Sequence, residues 1–346
     1  MSLLAAGVAI FVTLLLTRAF IHPGSRMHIL DHPNERSLHS QPTPRTGGVA
    51  IVFGIVVGCL IFAVGLSLVI PVELQWLGGL AVLIASVSYL DDRRHIPVGY
   101  RLATHVVASV LLGIAGLTVG SLSLPGFSHA LPSWLAGVLT VLFAVWMVNL
   151  YNFMDGMDGF AGGMTVFGFG TLALLGWWGD DNVFAALNLI IAAGALGFLV
   201  FNFPPAKIFM GDTGSSTLGF LAAGMSLWGD ASALVPLWIS VLVFSPFIVD
   251  ATVTLLRRLV GRERVWQAHK THYYQRLVQA GWGHRKTVIM EYGLMVACAA
   301  GALTAYRATS TVQWIIIVGT ILLYVVFFGF VRATEASGSR DASGPA

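Results

Sequence analysis

The sequence predicts an all-α, polytopic integral membrane protein with about eleven transmembrane helices. Three observations carry that expectation. Only 10% of the 346 residues are charged and 56% are hydrophobic, whereas a soluble domain carries roughly 25% charged residues. The mean hydropathy is +0.81. The apolar residues gather in runs of about 15–25, the length that crosses a hydrocarbon core as a helix. Backbone groups find no water inside a bilayer, so such runs must be helical, and the alternating segments of a membrane barrel are absent.

In chain order the expected spans are 2–20, 47–70, 76–90, 102–119, 134–150, 160–178, 183–201, 213–228, 233–256, 287–305 and 312–331. The first lacks a charged leader and a clear small-residue cleavage site, so it reads as a membrane helix rather than a signal peptide. Glycine pairs such as Gly78-Gly79 and Gly162-Gly163 suit close helix packing in lipid. Cys59 and Cys298 both lie within apolar runs and read as small buried residues. One catalytic membrane domain is expected over 1–333. The Ser/Gly/Ala-rich stretch 334–346 is expected to be a disordered tail.

Alternating spans divide the connections between two faces. One face carries 21–46, 91–101, 151–159, 202–212, 257–286 and the tail. Of the 19 Lys and Arg residues, only Arg307 falls on the other face. The positive-inside rule assigns the basic face to the cytoplasm, with the N-terminus outside and the C-terminus inside. Asp91, Asp92, Asp155, Asp158, Asp212, His269 and His272 all lie on that basic face.

Each polar segment has a plain and a chemical reading. The first loop runs from Asp31 through Asn34, Glu35 and Arg36 to Pro42, Arg45 and Gly47-Gly48. Prolines keep it extended. It is either a rigid connector or a place where backbone at a helix entrance meets phosphate. Asp91-Asp92-Arg93-Arg94 places two adjacent carboxylates near a membrane surface. They call for a cation, magnesium above all, unless the arginines neutralise them.

Asn149 to Gly159 joins amides, two acids and two glycines between apolar helices, a costly cluster unless used. It lacks the spacing of a calcium loop. Asp212 is a good helix N-cap, which does not exclude metal binding. Phe209 offers a face for a nucleobase or an interfacial anchor, and Lys207 a charge for phosphate. The long basic loop holds Arg257, Arg258, His269, Lys270, His272, Arg276 and His284. It suits anionic lipid, a diphosphate, or both. His-x-x-His without further ligands is weak evidence for zinc.

Taken in order from Asp31 to His284, these segments resemble the polyprenyl-phosphate N-acetylhexosamine-1-phosphate transferase family (glycosyltransferase family 4), kin to phospho-N-acetylmuramoyl-pentapeptide transferase. The resemblance implies transfer of N-acetylhexosamine 1-phosphate from a UDP-N-acetylhexosamine to undecaprenyl phosphate. UMP leaves, and the product starts O-antigen, lipopolysaccharide or another cell-envelope glycan. It implies a bacterial inner membrane and a cytoplasmic active face. Membrane lipid and a possible homodimer partner are implied, and no nucleic acid.

By the same resemblance, Asp91 and Asp92 match a paired-acid motif and Asp155 and Asp158 an acidic motif. His269 and His272 match a histidine-rich motif, here His-Lys-Thr-His. These six are the catalytic candidates. Asp212 matches a magnesium-binding acid, with Asp91 or Asp92 as its companion ligand and manganese as an alternative ion. Arg45, Asn149, Asn152, Lys207, Phe209 and Lys270 are the candidate substrate contacts. A transporter with an acidic gate is the rival reading. Transporters place ionisable groups near the midplane, whereas here the acids collect at one face.

Overall fold

A computed structural model describes residues 1–33, 37–66, 70–94, 96–264, 267 and 269–341. Asn34, Glu35 and Arg36 of the first loop, and positions 342–346 of the expected tail, lie outside the described residues. The chain folds as α1 (Ser2–Ile21), β1 (Leu30–Asp31), β2 (Thr43–Pro44), α2 (Gly47–Gly65), α3 (Val72–Arg94), α4 (Val98–Ile114), β3 (Ser121–Leu124), β4 (Phe127–Ala130), α5 (Ser133–Met154), α6 (Phe160–Trp178), α7 (Asn182–Asn202), α8 (Gly211–Ala231), α9 (Leu237–Val243), α10 (Ser245–Val260), α11 (Tyr273–Leu277), α12 (Gly283–Ala305) and α13 (Ser310–Asp341).

Helices underlie every segment expected to span, but they differ in kind. Among the described residues, eight helices are long and apolar enough to cross a membrane, and nine if the bent pair α9–α10 is one span. The helix α4 is shorter. The helix α8 is rich in Gly, Ser and Thr and buried along nearly its whole length. It packs against α2, α3 and α5 and forms the centre of the bundle. Its neighbours, rather than lipid, cover its hydroxyls. Thr217 and Ser226 donate back to the carbonyls of Thr213 and Ala222.

The segment expected as one helix over 233–256 bends by 82° between α9 and α10. Pro246 stands in the first turn of α10 and brings no N–H to bond back into α9. The Ser245 hydroxyl, which bonds the Leu242 carbonyl and lies 2.7 Å from the Tyr324 hydroxyl, helps fix the break.

Three expected boundaries shift. The helix α3 runs through Arg94, so Asp91 and Asp92 end a helix instead of opening a loop, and α4 already holds Arg101. The loop expected over 257–286 contains α11 and a π-turn over Val278–Trp282 that leads into α12. The stretch 334–346, expected as a disordered tail, is helical as far as Asp341. Its Glu335 gains a fixed partner in Arg276, whose Nε donates at 2.6 Å.

Two short antiparallel ladders join the helices. Residues Leu30–Asp31 pair with Thr43–Pro44, closing the first loop on itself. Residues Ser121–Leu124 pair with Phe127–Ala130 around Pro125-Gly126. The Trp314 indole donates to the Pro125 carbonyl and ties that hairpin to α13.

Candidate active site

The acids that end α3 meet the start of α8. Asp92 Oδ1 accepts from the Asp212 amide at 3.1 Å. Its Oδ2 accepts from the Thr213 amide at 3.0 Å and the Thr213 hydroxyl at 2.7 Å. Asp92 therefore caps α8 from a different helix, satisfying N–H groups that the first turn leaves unpaired. The Arg45 guanidinium donates to the Asp92 carbonyl.

Asp91 turns the other way. It accepts from the Ile96 amide at 2.6 Å and pairs with Arg101 Nη1 at 2.7 Å. Arg101 Nη2 then reaches Asp212 Oδ2, also at 2.7 Å. Asp212 Oδ1 accepts from Asn152 at 2.7 Å. One guanidinium thus joins α3, α4 and α8, and Asn152 adds α5.

The α5–α6 turn supplies the remaining acids. Asp158 Oδ2 accepts from the Ala206 amide at 2.9 Å, and its Oδ1 lies 3.0 Å from His284 Nδ1. Asn202 locks the turn by accepting from Gly159 N and donating to the Ile208 carbonyl. Among the described residues, no hydrogen bond or ion pair reaches the Asp155 carboxylate. Burial and the charges of Asp212, Asp92 and Asp158 push it well above the usual carboxylate range.

Asp92, Asn152, Asp155, Asp158, Asn202, Asp212 and His284 line one cleft of about 430 Å³. Among the described residues its wall holds five aspartates, Asp31, Asp92, Asp155, Asp158 and Asp212, and one arginine, Arg45. His39, His284, Asn152, Asn202 and Ser37 add polar groups, and Phe209 stands in the same wall with its ring 4.8 Å from that of His39.

Gly47 and Gly48 do not offer free amides to a ligand. They donate to the Phe209 and Met210 carbonyls. Glycine is required at 48 because α2 and α8 touch there. A Cβ would lie 2.2 Å from Gly214 N and 2.4 Å from its Cα. Gly211 has φ 70°, and a Cβ there would lie 2.3 Å from the Arg45 carbonyl. Gly48→Ala is expected to cost about 1–3 kcal/mol through overpacking. Thermal unfolding in detergent reads it, with Gly79→Ala, where a Cβ meets nothing within 4 Å, as the unchanged control.

The structure does not bring all the sequence candidates together. Asn149 lies a turn before Asn152 and bonds back to the Val145 carbonyl. Lys207 is exposed and outside the cleft lining. Lys270 lines a separate basin with Arg257 and Arg276. His269 and His272 also stand off the cleft, their rings 4.8 Å apart.

His272 Nδ1 lies 3.3 Å from Asp250 Oδ1, and Asp250 also accepts from the Tyr273 and Tyr274 amides. The Tyr274 hydroxyl donates to the Phe153 carbonyl, so this loop braces the acidic turn from behind. Burial, then the neighbouring His272 and Arg258, lower the His269 pKa to about 4.

Sequence reasoning missed Arg101 and Asp250 as structural actors, and named His284 only as one member of the basic loop. Asp250 carried a readable signal, since an ionisable residue inside an apolar run is costly without a partner. Arg101 carried none, and the pairing of His284 with Asp158 carried none, because each is a contact between distant segments.

The donor set suits a hard cation. Carboxylates favour magnesium, which is held by one or two of them together with water and phosphate oxygens. Among the described residues, no three metal-ligating side chains converge. That arrangement fits magnesium shared with a substrate phosphate and does not fit a closed structural site.

Comparison with known proteins follows the same lines. The model of glycosyl transferase family 4 matches residues 74–230. A probable undecaprenyl-phosphate N-acetylglucosaminyl 1-phosphate transferase of Bacillus subtilis is 31% identical over 310 residues, 87% of this chain and 86% of the relative. A decaprenyl-phosphate N-acetylglucosaminephosphotransferase of Mycobacterium tuberculosis is 30% identical over 307 residues, 80% of this chain and 76% of the relative. A phospho-N-acetylmuramoyl-pentapeptide-transferase of Mycolicibacterium vanbaalenii is 32% identical over 371 residues, 92% of this chain and 99% of the relative.

Proposed function

The chain belongs to glycosyl transferase family 4, a family of sugar-phosphate transferases, and from that premise we propose that it moves N-acetylhexosamine 1-phosphate from a UDP-sugar onto undecaprenyl phosphate. An oxygen of the lipid phosphate attacks the β-phosphorus of the donor. The bond from that phosphorus to the bridging oxygen breaks, and UMP leaves with the electron pair. The product, undecaprenyl-diphosphate-sugar, starts a cell-envelope glycan such as O-antigen. N-acetylglucosamine is the first donor to test, since the Bacillus and Mycobacterium relatives are named for it.

The observation that carries this reading is the charge of the cleft, five aspartates to one arginine among the described residues. A site that must gather three phosphates would repel them unless a cation stood between. Magnesium, or manganese, neutralises phosphate charge and aligns the reacting oxygens when bound. Asp155 and Asp212 are the residues to hold it. Asp155 has no partner among the described residues, and Asp212 projects beside it with Arg101 and Asn152 fixing its angle. Asp91 and Asp92 fit less well as its companions, since Asp91 is bound to Arg101 and Asp92 to the start of α8.

Arg45 is placed to meet a donor phosphate, and Phe209 to meet the uracil. A phosphate monoester is already largely a dianion at pH 7, with a second pKa near 6. No strong base is therefore needed to activate the acceptor. The distribution of Lys and Arg supports a cytoplasmic cleft in the inner membrane, with the N-terminus outside.

The test combines purified protein, undecaprenyl phosphate, magnesium and a panel of UDP-N-acetylhexosamines. UMP release should match the appearance of labelled sugar in the organic phase, one for one. A folded preparation that makes no lipid-linked product with any donor would overturn the reading. So would substrate uptake into proteoliposomes without chemistry.

A further inference from the structure

A second polar cavity lies outside the cleft. It is a basin of about 730 Å³ between the end of α10, α11, the turn at Ala280-Gly281 and the end of α13. Among the described residues, it shares no lining residue with the cleft. Its charge is opposite in sign. Arg257, Lys270 and Arg276 face one acid, Glu335. The transfer chemistry proposed above uses none of the four.

The walls of the basin are fixed. Both guanidiniums lie against the Tyr273 ring, Arg257 at 5.4 Å and Arg276 at 4.8 Å from its centre. Arg257 donates to the Thr271 carbonyl at 2.6 Å. Gln279 donates to the Lys270 carbonyl at 2.8 Å and to the Gln275 carbonyl at 3.0 Å. Arg276 gives Nε and one Nη to Glu335, while its Nη1 is buried without a hydrogen-bond partner. Among the described residues, no carboxylate pairs with Lys270 or Arg257.

Three cations against one carboxylate leave an excess of positive charge in a confined space. A buried guanidinium N–H without an acceptor is costly. A group with several anionic oxygens meets both needs. Phosphate matches the planar fork of Arg276 and has further oxygens for Lys270.

We propose that this basin is a binding site for a phosphate-bearing anion, which takes Arg276 from Glu335 and adds contacts to Lys270 and Arg257. The anion is a lipid headgroup or a free phosphate, the same chemistry from two sources. The site bears on the cleft through the segment that walls it. Thr271 holds Arg257, and the three residues after it bond Asp250. The Tyr274 hydroxyl then braces the Phe153 carbonyl, two residues before Asp155. A bound anion steadies this brace.

Glu335→Gln and Lys270→Glu test the site in opposite directions. The protein is held in uncharged detergent with a chelator, so the acidic cleft has no cation and repels anions. Calorimetry reads inorganic diphosphate. Native mass spectrometry reads dioctanoyl phosphatidylglycerol, with dioctanoyl phosphatidylcholine as the uncharged control. At least one anionic probe should bind the parent. Glu335→Gln should tighten it severalfold by removing the competing carboxylate. Lys270→Glu should weaken it on the order of tenfold, the loss of one charge-assisted contact. The bound probe should also slow amide exchange in the peptide spanning Tyr273 and Tyr274.

Binding of diphosphate alone assigns the site to soluble phosphate, and binding of phosphatidylglycerol alone to a lipid headgroup. The proposal is overturned if neither probe binds, or if either substitution, in folded protein, leaves binding unmoved. Glu335→Gln decides the matter where Lys270→Glu does not fold, because misfolding does not tighten binding. Exchange that the bound probe leaves unchanged overturns the link to the brace. The basin does not depend on which donor the cleft takes, so its failure leaves the transferase reading standing.

Discussion

Asp212→Asn is expected to lower sugar-phosphate transfer by on the order of 10²- to 10³-fold, the usual cost of removing one electrostatic element from a transition state. The fold should survive. Asparagine can still accept from Asn152, and Arg101 keeps its pair with Asp91. What disappears is a negative charge beside Asp155, and with it half of the grip proposed for magnesium. Apparent magnesium affinity should weaken alongside kcat, while thermal unfolding in detergent barely moves. Exhaustive chelation of the unsubstituted protein should abolish turnover, and added magnesium or manganese should restore it. Full turnover after chelation would refute a metal-bridged site. A variant that loses folding and activity together would point to a structural role for Asp212 instead.

The acids of this site were legible in the sequence because carboxylates beside membrane spans are too costly to be idle. Asp92, Asp155, Asp158 and Asp212 come from four positions spread over 120 residues, and they line one cleft. The helices were legible for the same reason, since apolar runs of that length have no other fold in lipid. What could not be read was how the acids divide their work. Asp91 and Asp92 are neighbours in sequence but face different partners, because successive residues on a helix point about 100° apart. One pairs with Arg101 of α4, and the other caps α8.

Other readings failed for nameable causes. The two glycines that open α2 looked like a phosphate cradle, yet their amides meet Phe209 and Met210 carbonyls. The glycines serve close approach of two helices, a requirement visible only once α8 is in place. The resemblance made His269 and His272 catalytic candidates through a histidine-rich motif, and in the structure both stand off the cleft lining. Their anchor is Asp250, inside a stretch read only as apolar. The helix α8 was counted as a span although its surface is polar for one, and burial on nearly every side is what makes that composition tolerable.

Asp92 provides the sharpest contrast between a catalytic and a positioning role. Its carboxylate takes three hydrogen bonds from the first turn of α8, two of them from Thr213. Asp92→Ala should destabilise the protein by about 2–3 kcal/mol, the loss of a cap whose acceptor is charged. It should also cut transfer severely, because Asp212 rides on that turn. Asp92→Asn should cost less but not be neutral. Its oxygen can keep the Thr213 amide and hydroxyl bonds, and its NH2 then faces the Asp212 amide, donor to donor. Thr213→Val removes one donor and keeps the amide bonds, so its cost should be nearer 1 kcal/mol. A general base would behave differently. Its asparagine variant would fold as well as the parent, and its residual activity would climb steeply with pH. Thermal unfolding and a pH profile on the same three variants separate the two roles. A stable, pH-rescued Asp92→Asn would show that the cap is incidental to the chemistry of this aspartate.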